Sequence, residues 1–114
     1  MDTEFSVTFT KRNVNSKRIL KLVENVIGEV CNEYILCRST LIDKTYDYTE
    51  LATFLEMFFY EMIEKGEITH FNIIADHRNN NPMNVRDGKI EVKMQFRQTH
   101  CLNVTEVIAH FQSV

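Results

Sequence analysis

The stretch Asp76-His77-Arg78-Asn79-Asn80-Asn81-Pro82-Met83-Asn84 holds the most concentrated set of reactive and ligating side chains in this 114-residue chain. An imidazole beside a carboxylate, followed by side-chain amides, is suited to metal-dependent phosphodiester cleavage. In that chemistry a histidine acts as general base while its neighbours hold a divalent cation near the scissile phosphate. A further His or Asn on a succeeding helix is needed to complete such a metal site. The tract leads instead into Asp87-Gly88 and the alternating run Lys89 to Arg97. A plainer account is a polar loop between two strands, whose Asp and Asn side chains satisfy their own backbone. Elsewhere, His70, His77, His100 and His110 do not recur at ligand spacings, and His100 and Cys101, adjacent on an extended chain, point to opposite faces. No spacing points to a Ser/His/Asp or Cys/His set. Gly28, Gly66 and Gly88 are isolated, so no Gly-rich loop cradles a phosphate. The expectation is no catalytic residue, no metal ligand and no cofactor: not an enzyme.

Composition narrows the partners. A formal charge of −3 argues against a dedicated nucleic-acid binder, which presents a basic patch or stripe. Lys17, Arg18 and Lys21 do cluster at the start of an expected helix, as a solvated face or as a patch for an acidic neighbour. Hydrophobic residues at 44% and charged residues at 25% describe an ordinary globular domain. Cys31, Cys37 and Cys101 make no CxxC pair and leave one thiol over, which fits synthesis in a reducing cytosol. The opening residues lack the order of a signal peptide, and no apolar run approaches the ~18 residues of a membrane span.

Around the polar tract, the elements are set by periodicity. Phe5 to Thr10 alternates apolar and hydroxyl side chains, a strand with Phe5, Val7 and Phe9 on the face that needs burial. Asn15 or Ser16 caps a helix on which Ile19, Leu20, Val23, Val26, Ile27, Val30, Cys31 and Tyr34 share one stripe. Arg38 to Tyr46 reads as a polar connection. Asp47 and Glu50 form a capping box for a second helix, which Gly66 ends. Its stripe runs through Leu51, Phe54, Leu55, Phe58, Phe59, Met62 and Ile63 and is wide enough for a second buried side. Phe71 to Asp76 is a short strand, Asp87-Gly88 a hairpin turn signal, Lys89 to Arg97 a half-exposed antiparallel strand, and Val107, Ala109 and Phe111 mark the last. The fold class is α+β: two helices packed on a small, mostly antiparallel sheet, with an N-terminal strand or arm. The arm takes residues 1–14 and the domain residues 15–114. Phe54, Leu55, Phe58, Ile73, Ile90, Val92 and Phe111 are the expected core.

The order of these pieces resembles the C-terminal domain of contractile phage tail sheath proteins, from about Asn15 to Val114. Ser16-Lys17-Arg18-Ile19-Leu20 matches that family's basic-start helix, and Phe54-Leu55 through Gly66-Glu67-Ile68 its second helix and following strand. Phe71-Asn72-Ile73-Ile74-Ala75-Asp76, Asn80-Asn81-Pro82 and Asp87-Gly88-Lys89-Ile90-Glu91-Val92 resemble its hydrophobic strand, Asn-rich turn and alternating strand. Val107-Ile108-Ala109-His110-Phe111 is similar to its closing strand. Two departures stand out. The large outer domains of sheath subunits are absent here, and Gln98-Thr99-His100 stands where the family often has a Pro.

The resemblance implies a structural virion protein of a contractile tail, either sheath-like or a piece that starts, ends or anchors the sheath. It would be made in the host bacterial cytoplasm and located in the tail. Its implied partners are its own copies, as a homo-oligomer or ring, and sheath, tube, neck or baseplate proteins, with no nucleic acid and no membrane. Association would use β-augmentation, with Phe5, Val7 and Phe9 on a donated strand. Lys17, Arg18, Phe59, Val107 and Phe111 are expected to serve as further contacts. Two rivals remain open at this point. One is a small metal-dependent nuclease centred on Asp76 and His77, whose tract resembles HNH-type motifs. The other is an unrelated α+β binding module that dimerises through Phe58, Phe59 and Met62.

Overall fold

A computed structural model describes residues 5–39 and 48–113, with side chains described over 6–29 and 51–112. In chain order these residues form β1 (Phe5–Arg12), α1 (Lys17–Ser39), α2 (Tyr48–Glu64), β2 (Ile68–Ile74), α3 (Pro82–Arg86), β3 (Lys89–Gln98) and β4 (Val104–Ser113). The four strands make one sheet in the order β1-β4-β3-β2, with every neighbouring pair antiparallel. The α+β class expected from periodicity is the one observed. Asp47, residues 40–47 as a whole, and the side chains of Phe5, Val30, Cys31, Tyr34 and Glu50 lie outside the described residues.

Local chemistry explains where the helices begin and end. Ser16 Oγ accepts the Ile19 N–H at 3.3 Å, the N-cap geometry expected for α1. At the end of α2, the Glu67 N–H donates to Met62 O at 3.0 Å and the Gly66 N–H to Ile63 O at 2.9 Å. Gly66 sits at φ 74°, so the pair forms a Schellman motif in which glycine supplies the left-handed residue.

One core joins the apolar stripes of α1 and α2 to one face of the sheet. β3 alternates as its sequence requires, with Ile90, Val92, Met94, Phe96 and Gln98 all turned inward. Leu55, Ile90, Val92 and Phe111 are buried as expected, but Phe54, Phe58 and Ile73 are only half-buried, packed against the core's margin. Phe59, 1% exposed, takes the centre, its ring 5.3 Å from Phe71 and 5.4 Å from Phe96. The inward face of α2 therefore runs through Leu51, Leu55, Phe59 and Met62, about one residue around the helix from the expected phase.

A second correction concerns Asp87-Gly88. Instead of closing a hairpin, this pair terminates α3, with the Asp87 N–H on Met83 O at 3.0 Å and Gly88 at φ 80°. Asn81 and Pro82 supply the reason. The Asn81 side chain caps the Asn84 N–H at 2.9 Å, and Pro82 occupies the first turn, where its missing N–H costs nothing.

Candidate functional site

The polar tract begins where β2 ends. Asp76 O accepts the N–H groups of Asn79 and Asn80 at 3.2 and 2.9 Å, closing a turn. The Asp76 carboxylate takes the Arg78 guanidinium on both oxygens, from Nε at 3.0 Å and from Nη2 at 2.7 Å, and the Arg78 backbone N–H at 2.9 Å. These hydrogen bonds, the side-chain ones first, hold its pKa down to about 2. The next two amides turn inward. Asn80, 3% exposed, accepts the Glu91 N–H at 2.7 Å and donates to Glu91 O at 2.8 Å. Its side chain thus pairs with β3 as a further strand residue would, past the point where β2 stops. Asn79 donates to Ile74 O at 2.8 Å and to Glu91 O at 3.2 Å.

Each asparagine of the run therefore has a structural task, two clasping Glu91 and one capping α3. His77 is exposed, and among the described residues no three His, Cys, Asp or Glu side chains are grouped to hold a metal ion. A cation at Asp76 would have to displace Arg78. A helix does form at the end of the tract, contrary to expectation, but it spans only Pro82–Arg86, carries no His, and its single Asn is Asn84 of the tract itself.

On the sheet face away from the helices lies an arrangement that sequence spacing did not reveal. His110 of β4 has Nε2 3.2 Å from Thr10 Oγ1 on β1 and Nδ1 3.6 Å from Glu91 Oε1 on β3. Hydroxyl, imidazole and carboxylate are thus aligned across three strands. The second distance is too long for a hydrogen bond, so the three groups are not held as a proton relay. Beside them is a shallow cleft of about 310 Å³ between α3 and β1, lined by Thr8, Asn84, Lys89, Glu91, His110 and Gln112 among others. Only the register Glu91↔His110 and Thr8↔His110 brings these groups together, and residues that far apart in sequence give no local signal.

The residues expected at an interface divide into two sets. β1 is not a free arm: it pairs with β4 of its own chain from Phe5↔Ser113 to Arg12↔Glu106, and Val7 and Phe9 are half-buried against the core. Lys11 Nζ reaches Glu24 Oε1 at 2.7 Å, off the hydrogen-bonding direction, and this ion pair ties β1 to α1. Lys17 is exposed, while Arg18 Nη2 binds Glu67 Oε1 at 2.8 Å. The aromatic and terminal-strand set is placed differently. Phe59, Val107 and Phe111 are at most 3% exposed, so their side chains are spent on the chain's own core and offer no surface. Apolar surface is instead presented by Met57 and Tyr60 on α2 and by Leu102 in the β3–β4 turn.

No family model, no curated protein and no solved structure matches the chain.

The largest unsatisfied feature among the described residues is main-chain, not side-chain. β1 and β2 each have a strand neighbour on one side only. An edge strand directs every second N–H and C=O outward, and such rows pair readily with another strand. Among the described residues no helix is long and apolar enough to cross a membrane.

Proposed function

We propose that this chain is a structural subunit of a contractile tail, sheath-like or a piece that initiates, terminates or anchors the sheath, and that it works by joining its sheet to its neighbours. The observation that carries the reading is the four-stranded sheet whose outer strands, β1 and β2, each have a free edge among the described residues, β1 being the N-terminal strand. Behind it stands the resemblance of residues 15–114, in order and spacing, to the C-terminal domain of tail sheath proteins. The covalent link between β1 and α1 is the short connection Asn13–Ser16, so β1 can pair in the same register on β4 of a neighbour only by giving up its Lys11–Glu24 tie to its own α1. Main-chain pairing gives such a contact its strength and the alternating side chains give it register.

Against the nuclease reading stand the pairing of Asp76 with Arg78 and the engagement of Asn79 and Asn80 with the backbone of their own sheet. The dimer reading loses two of its three residues, Phe59 and Met62, to the core. The test is composition: isolate contractile-tailed particles from the source and quantify this chain by mass spectrometry. A fixed copy number relative to the other tail proteins is expected. Absence from intact particles would overturn the proposal.

A further inference from the structure

We propose that copies of this chain join edge to edge, β1 of one against β2 of the next, with a basic row on α1 matched to an acidic row on α2. The inference rests on the reading of the chain as an assembly subunit and adds which surfaces meet. It holds whether the β1 in the contact belongs to its own domain or has been exchanged.

Since each neighbouring pair in β1-β4-β3-β2 is antiparallel, β1 and β2 run in opposite senses. A copy displaced sideways without turning therefore sets its β1 antiparallel to the β2 it meets, the arrangement that pairs through straight main-chain hydrogen bonds. The two strands are also matched in length, at 8 and 7 residues.

The helices then come side by side. The Lys11–Glu24 ion pair places α1 on the β1 side, and the Tyr60 ring, 5.0 Å from Phe71, places α2 on the β2 side. Lys17 and Lys21 precede Glu24 by seven and three residues and so share its flank of α1, facing the open edge of β1. Arg12 ends that strand. On α2, Glu56, Tyr60 and Glu64 recur every fourth residue and form one row on the β2 side. None of these five charged residues has an ion-pair partner among the described residues. Level is fixed by the Arg18–Glu67 contact at 2.8 Å, which sets the start of α1 beside the end of α2. In the sideways stack, Lys17 and Lys21 of one copy therefore stand at the height of Glu64 and Tyr60 of the next. Tyr60, 60% exposed, supplies the aromatic anchor.

The same charges select against one other pairing. Two β2 edges set antiparallel would oppose Glu56 of one copy to Glu64 of the other. That closed dimer is disfavoured, whereas the head-to-tail contact builds rings or open chains of copies.

Sedimentation of the purified full chain at low and high salt tests this. Species larger than dimers are expected, shrinking as salt rises. K17E/K21E and E56K/E64K should each weaken association by about tenfold or more, with melting temperatures near that of the wild type, since all four positions are at the surface. Mixed together, the two variants should co-assemble, because the acidic α1 row of one now meets the basic α2 row of the other. A wild-type monomer at every concentration, a closed dimer indifferent to both reversals, or a mixture that stays dissociated would overturn the contact. Charge-dependent chains formed by a protein absent from tail particles would support the contact and sink the tail reading. A charge-indifferent monomer present in those particles would do the reverse.

Discussion

Replacing Asn80 by alanine probes whether the asparagine run is architecture or chemistry. The side chain is 3% exposed and makes two short bonds to Glu91, accepting its N–H at 2.7 Å and donating to its carbonyl at 2.8 Å. In Asn80→Ala the carbonyl keeps Asn79 Nδ2 at 3.2 Å, but the Glu91 N–H loses its partner. The variant also loses the bond that Asn80 donates to Asn79 Oδ1 at 3.1 Å. Three net hydrogen bonds at about 1 kcal/mol each, with a further penalty for the orphaned amide, give an expected loss of ~3–4 kcal/mol. Asn80→Asp is the sharper variant. It retains an acceptor for the Glu91 N–H, yet it places a second oxygen where a donor faced the Glu91 carbonyl and buries a charge. It should therefore cost at least as much as alanine. Urea denaturation measures both, and hydrogen exchange at the Glu91 amide should accelerate in Asn80→Ala. His77→Ala, at an exposed neighbouring position, should stay within about 0.5 kcal/mol of wild type. A loss below about 0.5 kcal/mol in Asn80→Ala, or a harmless Asn80→Asp, would refute the clasp.

The fold carries three further expectations. Phe59→Ala should cost ~3–5 kcal/mol in denaturant melts, and Phe58→Ala less than half of that, because only Phe59 lies at the core's centre; equal losses would mean that the phase of α2 is wrong. Asp76 has its pKa depressed from 3.8 to about 2, so the contribution of its Arg78 pair is present above the unfolded value and is lost as pH falls from there through 2. Carboxyl NMR should show the Asp76 pKa rising in Arg78→Ala toward the ordinary 3.8 but staying below it, because the backbone N–H of residue 78 still bonds the carboxylate. Deleting residues 2–10 should lower monomer stability by at least ~2 kcal/mol, since Val7 and Phe9 lose their packing and β4 its partner; an unchanged melting temperature would contradict the observed fold-back of β1.

How much of this was legible depended on the range of the signal. The alternation of β3, the Ser16 cap and the Gly66 stop are set by neighbours within a few residues, and the structure agrees with them. The phase of α2 was not legible in the same way. From Met57 to Ile63 only Glu61 is neither apolar nor aromatic, so several adjacent faces look equally suited to burial. Packing against Phe71 and Phe96 selects Phe59, a choice made by strands that come later in the chain. The asparagine tract was readable as a self-satisfying polar loop, but the clasp on Glu91 required the β2–β3 register. α3 was hidden behind a Gly88 that serves a helix end and a hairpin turn equally well. The charge rows on α1 and α2 are visible in sequence as i,i+4 spacings, whereas their placement at opposite sheet edges comes from topology alone.

The central claim, a structural role through assembly in a contractile tail, is tested most directly by negative-stain electron microscopy of the purified chain, alone and added to tail particles stripped of it. Rings or sheath-like tubes, and restored density at one tail position, are predicted. A uniformly monomeric protein that leaves the stripped particles unchanged would contradict the account.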